Sequence, residues 1–253
     1  MKQKYNARMK YYSDGTIAQI MVCSSQCFHS EKQPKDRTRV RVPSLMRQLE
    51  ETENASAAFG DRWEQEKQEN GRRSRSRART RIFDLCQCNH FDLFVTLTID
   101  RLKADRYDYR AILRTLNRWL DNRVRRKGLQ YLIVPELHKD GAVHFHGLFN
   151  DVLHLVDSKR KDRKGHTIYN LPDWPLGFTT AIRLYGEKGA VSRYVTKYIS
   201  KTENIIGGRW YLHGGCLKEP MYTYDNIDFD AELPGAFLYE PEKGYAFKIV
   251  NLQ

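Results

Sequence analysis

The sequence predicts an α+β fold: a central antiparallel β-sheet flanked by helices, preceded by a largely helical, basic N-terminal extension. Three observations carry this expectation. Between residues 91 and 201, strand-length runs of β-branched and aromatic residues are interspersed with helix-periodic segments. Two of those runs are joined by a short glycine-containing turn, the mark of an antiparallel hairpin. From Val42 to about Asn70 the chain is rich in Glu, Gln and Arg with sparse apolar residues, which reads as a solvated helical arm. The expected division is an extension over 1–84, a catalytic-size core over 85–220, and a C-terminal extension over 221–253 that packs on the core or follows it.

Along the chain, Thr16–Val22 alternates in polarity and suits a hairpin or edge strand around Ser13-Asp14-Gly15. Ser44-Leu-Met-Arg-Gln-Leu-Glu-Glu and Phe59–Gln68 read as helix. Gly71 opens the run Arg72-Arg-Ser-Arg-Ser-Arg-Ala-Arg-Thr-Arg81, which sets Arg72, Arg73, Arg75, Arg77, Arg79 and Arg81 among small residues. Such a run is a candidate phosphate contact; its competing reading is a solvated helix face or a flexible linker. Cys86-x-Cys88-x-His90 has the look of half a zinc site, but no second pair follows it, and its alternation suits the approach to a strand.

Phe91-Asp-Leu-Phe-Val-Thr-Leu-Thr-Ile99 is the expected central strand. Tyr109–Val124 places Ile112, Leu113, Leu116, Trp119 and Leu120 on one helical face with arginines opposite, and Gly128 is a natural stop. Gln130–Glu136 and Ala142–Phe149 form a hairpin about Lys139-Asp-Gly141. A polar loop over Asp157–Pro175 leads to a short strand at Thr179–Tyr185 and a helix at Gly189–Lys201.

The formal charge of +12 on 253 residues favours a polyanionic partner, and nucleic acid leads. No apolar run approaches the roughly 20 residues of a spanning helix, and the polar Met1–Gly15 start lacks a signal-peptide core, so the expected setting is cytoplasm without membrane contact. The five cysteines are odd in number and scattered, unlike a disulfide framework. A Gly-x-x-x-x-Gly-Lys-Ser/Thr loop is missing, so strand separation would come from elsewhere.

Two constellations carry chemistry. His144-Phe-His146 puts two imidazoles on one face of a strand, and Glu136 on the partner strand adds a hard oxygen, with His138 as the alternative third ligand. Two neutral nitrogens and a carboxylate suit Mg²⁺ or Mn²⁺ acting as a Lewis acid. Histidine pairs on strands are more often merely hydrogen-bonded or exposed. In Tyr194-Val-Thr-Lys-Tyr-Ile-Ser-Lys201 the phenols of Tyr194 and Tyr198 and the ammonium of Lys201 share one helical face, with Lys197 beside them. A phenol, with its ordinary pKa of about 10, becomes a nucleophile when nearby cations favour the phenolate. The plainer alternative is that the tyrosines are core aromatics beside solvated lysines.

His144-Phe-His146 resembles the His-hydrophobic-His motif of the HUH endonucleases. Phe94-Val-Thr-Leu-Thr98 is similar to their first-strand motif, and Tyr194–Lys201 to their tyrosine motif, in the family order. The Tyr-x-x-x-Tyr pair is closest to the two-tyrosine rolling-circle replication initiators of single-stranded DNA phages and related bacterial plasmids. The resemblance spans about Phe91 to Lys201. It implies an HUH fold, related in outline to RNA-recognition modules, and a sequence-specific nickase and strand-transferase. One tyrosine would attack the origin phosphate of single-stranded DNA, leaving a 5′-phosphotyrosyl protein and a free 3′-hydroxyl. By the same resemblance Tyr194 and Tyr198 are the nucleophiles, His144, His146 and Glu136 hold the metal, and Lys197 and Lys201 assist; if one tyrosine alone acts, Tyr198 is favoured, because Lys197 and Lys201 on either side of it favour the phenolate. It also implies a host helicase and replication machinery as partners, in a bacterial cytoplasm. A conjugative relaxase shares this chemistry, and a non-catalytic basic nucleic-acid-binding module is the alternative of a different class, though it leaves Glu136, His144 and His146 unexplained.

Overall fold

The computed structural model describes residues 4–28, 55–138, 140–185, 191, 193–197, 209–240 and 245–252; within 55–67 it describes the backbone. The chain divides into two compact units, one made of 1–11, 17–74 and 222–253 and the other of 12–16 and 75–221.

The first unit is built on a five-stranded sheet in the order β10-β1-β2-β12-β11, formed by β1 (Lys4–Tyr11), β2 (Ile17–Phe28), β10 (Met221–Asp225), β11 (Phe237–Tyr239) and β12 (Phe247–Asn251). β2 pairs antiparallel with both β1 and β12. The expected turn at Ser13-Asp14-Gly15 is present, closed by Gly15 donating to the Tyr12 carbonyl, with Gly15 at φ +84°. Among its described residues the extension begins with two strands, β1 and β2, β2 pairing also with β12 more than 200 residues away, and is helical from residue 55 onward. The expectation of helix over 42–54 lies outside the described residues.

The second unit contains a seven-stranded sheet in the order β6-β7-β8-β3-β5-β4-β9. Its strands are β3 (Leu93–Thr98), β4 (Tyr131–Leu137), β5 (Val143–Phe149), β6 (Val156–Lys161), β7 (Thr167–Asn170), β8 (Thr179–Arg183) and β9 (Leu212–Gly214). The pairings among them are antiparallel. β3, the expected central strand, lies between β5 and β8 and is buried on both faces. The Asp157–Pro175 stretch is not a plain loop, because β6 and β7 form an edge hairpin there. Its polar, mostly exposed residues show no alternation, although the Asp162–Gly165 turn that closes it is a local signal.

Two helices supply the apolar cover. α2 (Tyr109–Lys127) buries Ile112, Leu116, Trp119 and Leu120 against Leu93, Val95, Leu97, Phe145 and Phe149 on one face of the sheet. Asp108 caps its start by accepting from the Ala111 amide, and the expected stop, Gly128, ends it at φ +67°. α1 (Ala55–Cys88) presents Ala78, Ile82, Leu85 and Cys86 to Phe94, Leu132, Val134 and Leu148 on the opposite face. The Cys86–Cys88 segment is thus the end of a helix rather than a strand approach, because the 78, 82, 85, 86 spacing matches a helical turn and not a pleat. Burial pushes the Cys86 thiol up to about 12, which suits an inert core thiol.

Close backbone approach requires a glycine at position 177. A Cβ at Gly177 would lie 2.5 Å from both the Thr98 oxygen and the Asp100 nitrogen, where Thr98 donates to the Phe178 carbonyl and Asp100 to that of Leu176. Gly177→Ala is expected to cost about 3 kcal/mol through overpacking and a disrupted hydrogen-bond pair. Thermal unfolding of the variant checks this; an unchanged midpoint would show that the strand end yields freely.

Candidate active site

β5 lies between β3 and β4, and its register decides what shares a face. His144 is opposite Thr98 on one side and Glu136 on the other; His146 is opposite Thr96 and Val134. Directly opposed residues of antiparallel strands point the same way. Thr96, Thr98, Glu136, His144 and His146 therefore line one face, the one that α1 covers farther along the strands and opposite to α2.

On that face the Glu136 carboxylate meets His146 Nε2 at 2.6 Å, and Thr96 Oγ1 lies 3.1 Å from His146 Nδ1. Both ring nitrogens are thereby engaged and the ring plane is fixed. Phe94 stacks on the same ring, with centroids 5.9 Å apart. His144 stacks instead on His138 at 4.2 Å. Burial, and then the proximity of His138, lower the His144 pKa from its ordinary value, which favours the neutral imidazole that ligates metals.

β9 pairs with Tyr131–Ile133 and extends no farther along β4, so Pro135, which has no N–H to offer, sits beyond its end.

The donor set, two imidazoles and a carboxylate on one face, fits a divalent cation by type. Among the described residues, however, no three His, Cys, Asp or Glu side chains converge closely enough to enclose an ion, because Glu136 and His146 contact one another directly while His144 leans on His138.

Residues 193–197 are helical, as the tyrosine motif predicts. Val195 is fully buried in the cluster formed by Phe94, Leu148 and α1, whereas Tyr194 is 46% exposed. Its ring meets Phe94 edge-on at 4.8 Å, and the Lys197 ammonium lies 5.8 Å from the ring centre. Phe94 thus touches both Tyr194 and His146, setting the phenol beside the histidine face. Tyr198 and Lys201 lie outside the described residues.

The six arginines of the basic run all fall in α1, in different settings. Arg72, Arg73, Arg77 and Arg79 are exposed, Arg73 pairing with Glu69 at 2.5 Å. Arg75 lies over the Trp210 ring and Arg81 pairs with Glu219. Sequence reasoning did not single out Thr96 or Phe94 as site residues, although both stand in the quoted strand motif; what assigns them is the register of β3 against β5.

Residues 92–203, a little under half of the chain, match the model of a family described as replication-associated protein ORF2. The matched stretch contains Thr96, Glu136, His144, His146 and Tyr194. Searches of curated proteins and of solved structures find no match. No helix among the described residues is long and apolar enough to cross a membrane.

Proposed function

We propose that this protein is a rolling-circle replication initiator that nicks single-stranded DNA at an origin through a 5′-phosphotyrosyl intermediate. The observation that carries the proposal is the placement of His144, His146 and Glu136 on one sheet face, with Tyr194 joined to it through Phe94, inside the stretch that matches a replication-associated family.

In this reading Glu136, His144 and His146 would hold Mg²⁺ or Mn²⁺, which when bound polarises the scissile phosphate. Thr96 keeps His146 in one orientation. A tyrosine phenol, Tyr198 or Tyr194, gives up its proton and its oxygen bonds to phosphorus as the bond from phosphorus to the 3′-oxygen breaks. The leaving 3′-oxygen takes up a proton and becomes the free 3′-hydroxyl, while the phosphate stays on the tyrosine. Lys197 and Lys201 favour the phenolate and the charge that develops on the phosphate. The exposed arginines Arg72, Arg73, Arg77 and Arg79 bind the strand by its phosphates, and a host helicase separates the duplex in a bacterial cytoplasm.

The test is a pool of labelled single-stranded oligonucleotides tiling the replicon's noncoding region, incubated with the protein and either Mn²⁺ or EDTA. A protein-linked band that needs the metal is expected on a denaturing gel. Binding by every oligonucleotide with no linked band under any divalent metal would favour a non-catalytic nucleic-acid-binding module.

A further inference from the structure

The outer face of α2 carries at Arg110, Arg114 and Arg118 a charge pattern that helix stability does not explain, whereas Arg125, in the last turn, stands where the helix dipole favours a cation. At 3.6 residues per turn, Arg110, Arg114, Arg118 and Arg125 fall within about 80° of arc, opposite the buried Ile112, Leu116 and Leu120, and extend over about 22 Å of helix. All four are exposed, and none forms an ion pair with another described residue. Like charges at i and i+4, as in Arg110, Arg114 and Arg118, destabilise a helix. Arg110 also stands in the first turn, where the helix dipole disfavours cations and where this helix has no acidic residue. Arg123 and Lys127, by contrast, are paired with Asp173 on the flank.

A groove of about 530 Å³ runs along this face, with Asn117 and Asn122 adding hydrogen-bonding amides and Asp121 the single acidic group. Its lining contains no aromatic ring. Proteins that hold single strands combine positive charge with aromatic platforms for the bases, whereas a straight row of guanidinium groups meets the regular phosphates of a duplex. We infer that the outer face of α2 is a docking surface for the phosphate backbone of double-stranded DNA, on the side of the sheet opposite the histidine face. Duplex flanking the single-stranded segment would be held there without competing for the candidate active site.

The experiment is fluorescence anisotropy with a labelled 20-base-pair duplex and a labelled oligo-dT strand over a salt series, comparing the wild type with Arg114→Ala/Arg118→Ala/Arg125→Ala. The duplex affinity should fall by about tenfold or more at 0.1 M salt, and the slope of log affinity against log salt should flatten by about 3, near 0.9 for each phosphate that is no longer neutralised. Oligo-dT binding should change far less. The corresponding Arg→Lys triple variant should keep most of the duplex affinity, because counterion release needs charge. Alanine suits exposed helical positions, so the melting temperature should stay the same or rise as like-charge repulsion is removed. An unchanged duplex affinity and slope would overturn the inference, as would an equal loss for oligo-dT. Duplex binding is read independently of the covalent adduct, so a failure of the nicking proposal leaves this result interpretable.

Discussion

Exchange of both Tyr194 and Tyr198 for phenylalanine should abolish the covalent protein–DNA adduct while leaving strand binding within about twofold. The loss should be on the order of 10⁴-fold or greater, the scale seen when a covalent nucleophile is deleted from a catalytic group that acts as a unit. Phenylalanine removes one oxygen from each ring and keeps the rest. Tyr194 is half exposed, and its edge contact with Phe94 and the Lys197 approach involve the ring, so those two contacts should survive the change. Gel analysis of the adduct beside anisotropy of the same oligonucleotide separates chemistry from binding. A double variant that still forms the adduct would exclude both phenols as nucleophiles. The single variants divide the roles: if one phenol begins the reaction and the other completes strand transfer, one variant loses first cleavage and the other retains it.

His146→Ala should lower the rate of metal-dependent cleavage about 10³-fold, equivalent to about 4 kcal/mol of lost transition-state stabilisation. His146 is 7% exposed, bonded to Glu136 on one side and Thr96 on the other. Its removal leaves the Glu136 carboxylate without its short contact and opens a void, so a stability loss of about 1–3 kcal/mol should accompany the loss of activity. Glu136→Gln keeps the volume and a hydrogen-bonding group but removes the anionic ligand. It should preserve most of the stability and still lose cleavage, with an apparent Mn²⁺ affinity weakened about 10-fold to 100-fold. Cleavage rates titrated with Mn²⁺, paired with thermal melts, check both variants. Wild-type cleavage by Glu136→Gln at limiting Mn²⁺ would remove this carboxylate from the site.

Much of the second unit was legible because local rules and global packing agree there. The Ile112, Leu116, Trp119, Leu120 stripe with Gly128 at its end defines α2, and alternation in Ala142-Val-His-Phe-His146 defines the face of β5. The pairing of Glu136 with His144 across the hairpin follows from the turn length. What escaped reading lacks local signals. β6 has one apolar residue in Val156-Asp-Ser-Lys-Arg-Lys161 and is held by extension of the sheet through β7 to β8. β2 and β12 are short of turn signals that would join them, since their contact is distant in sequence. Cys86 and Cys88 read as alternating because two cysteines two apart fit a pleat, yet Ile82 and Leu85 make that segment helical. At the site, histidine spacing identifies His144 and His146, but their different partners, Glu136 and Thr96 for one and His138 for the other, are set by rotamers that spacing does not encode.

The identity of the residue bonded to DNA tests the proposal most directly. Adduct formed with Mn²⁺ would be trimmed with nuclease, digested with protease and sequenced by tandem mass spectrometry. The expected result is a nucleotide phosphate on a tyrosine within Tyr194–Lys201. A linkage to serine or lysine, or to a tyrosine outside that segment, would contradict the proposed chemistry.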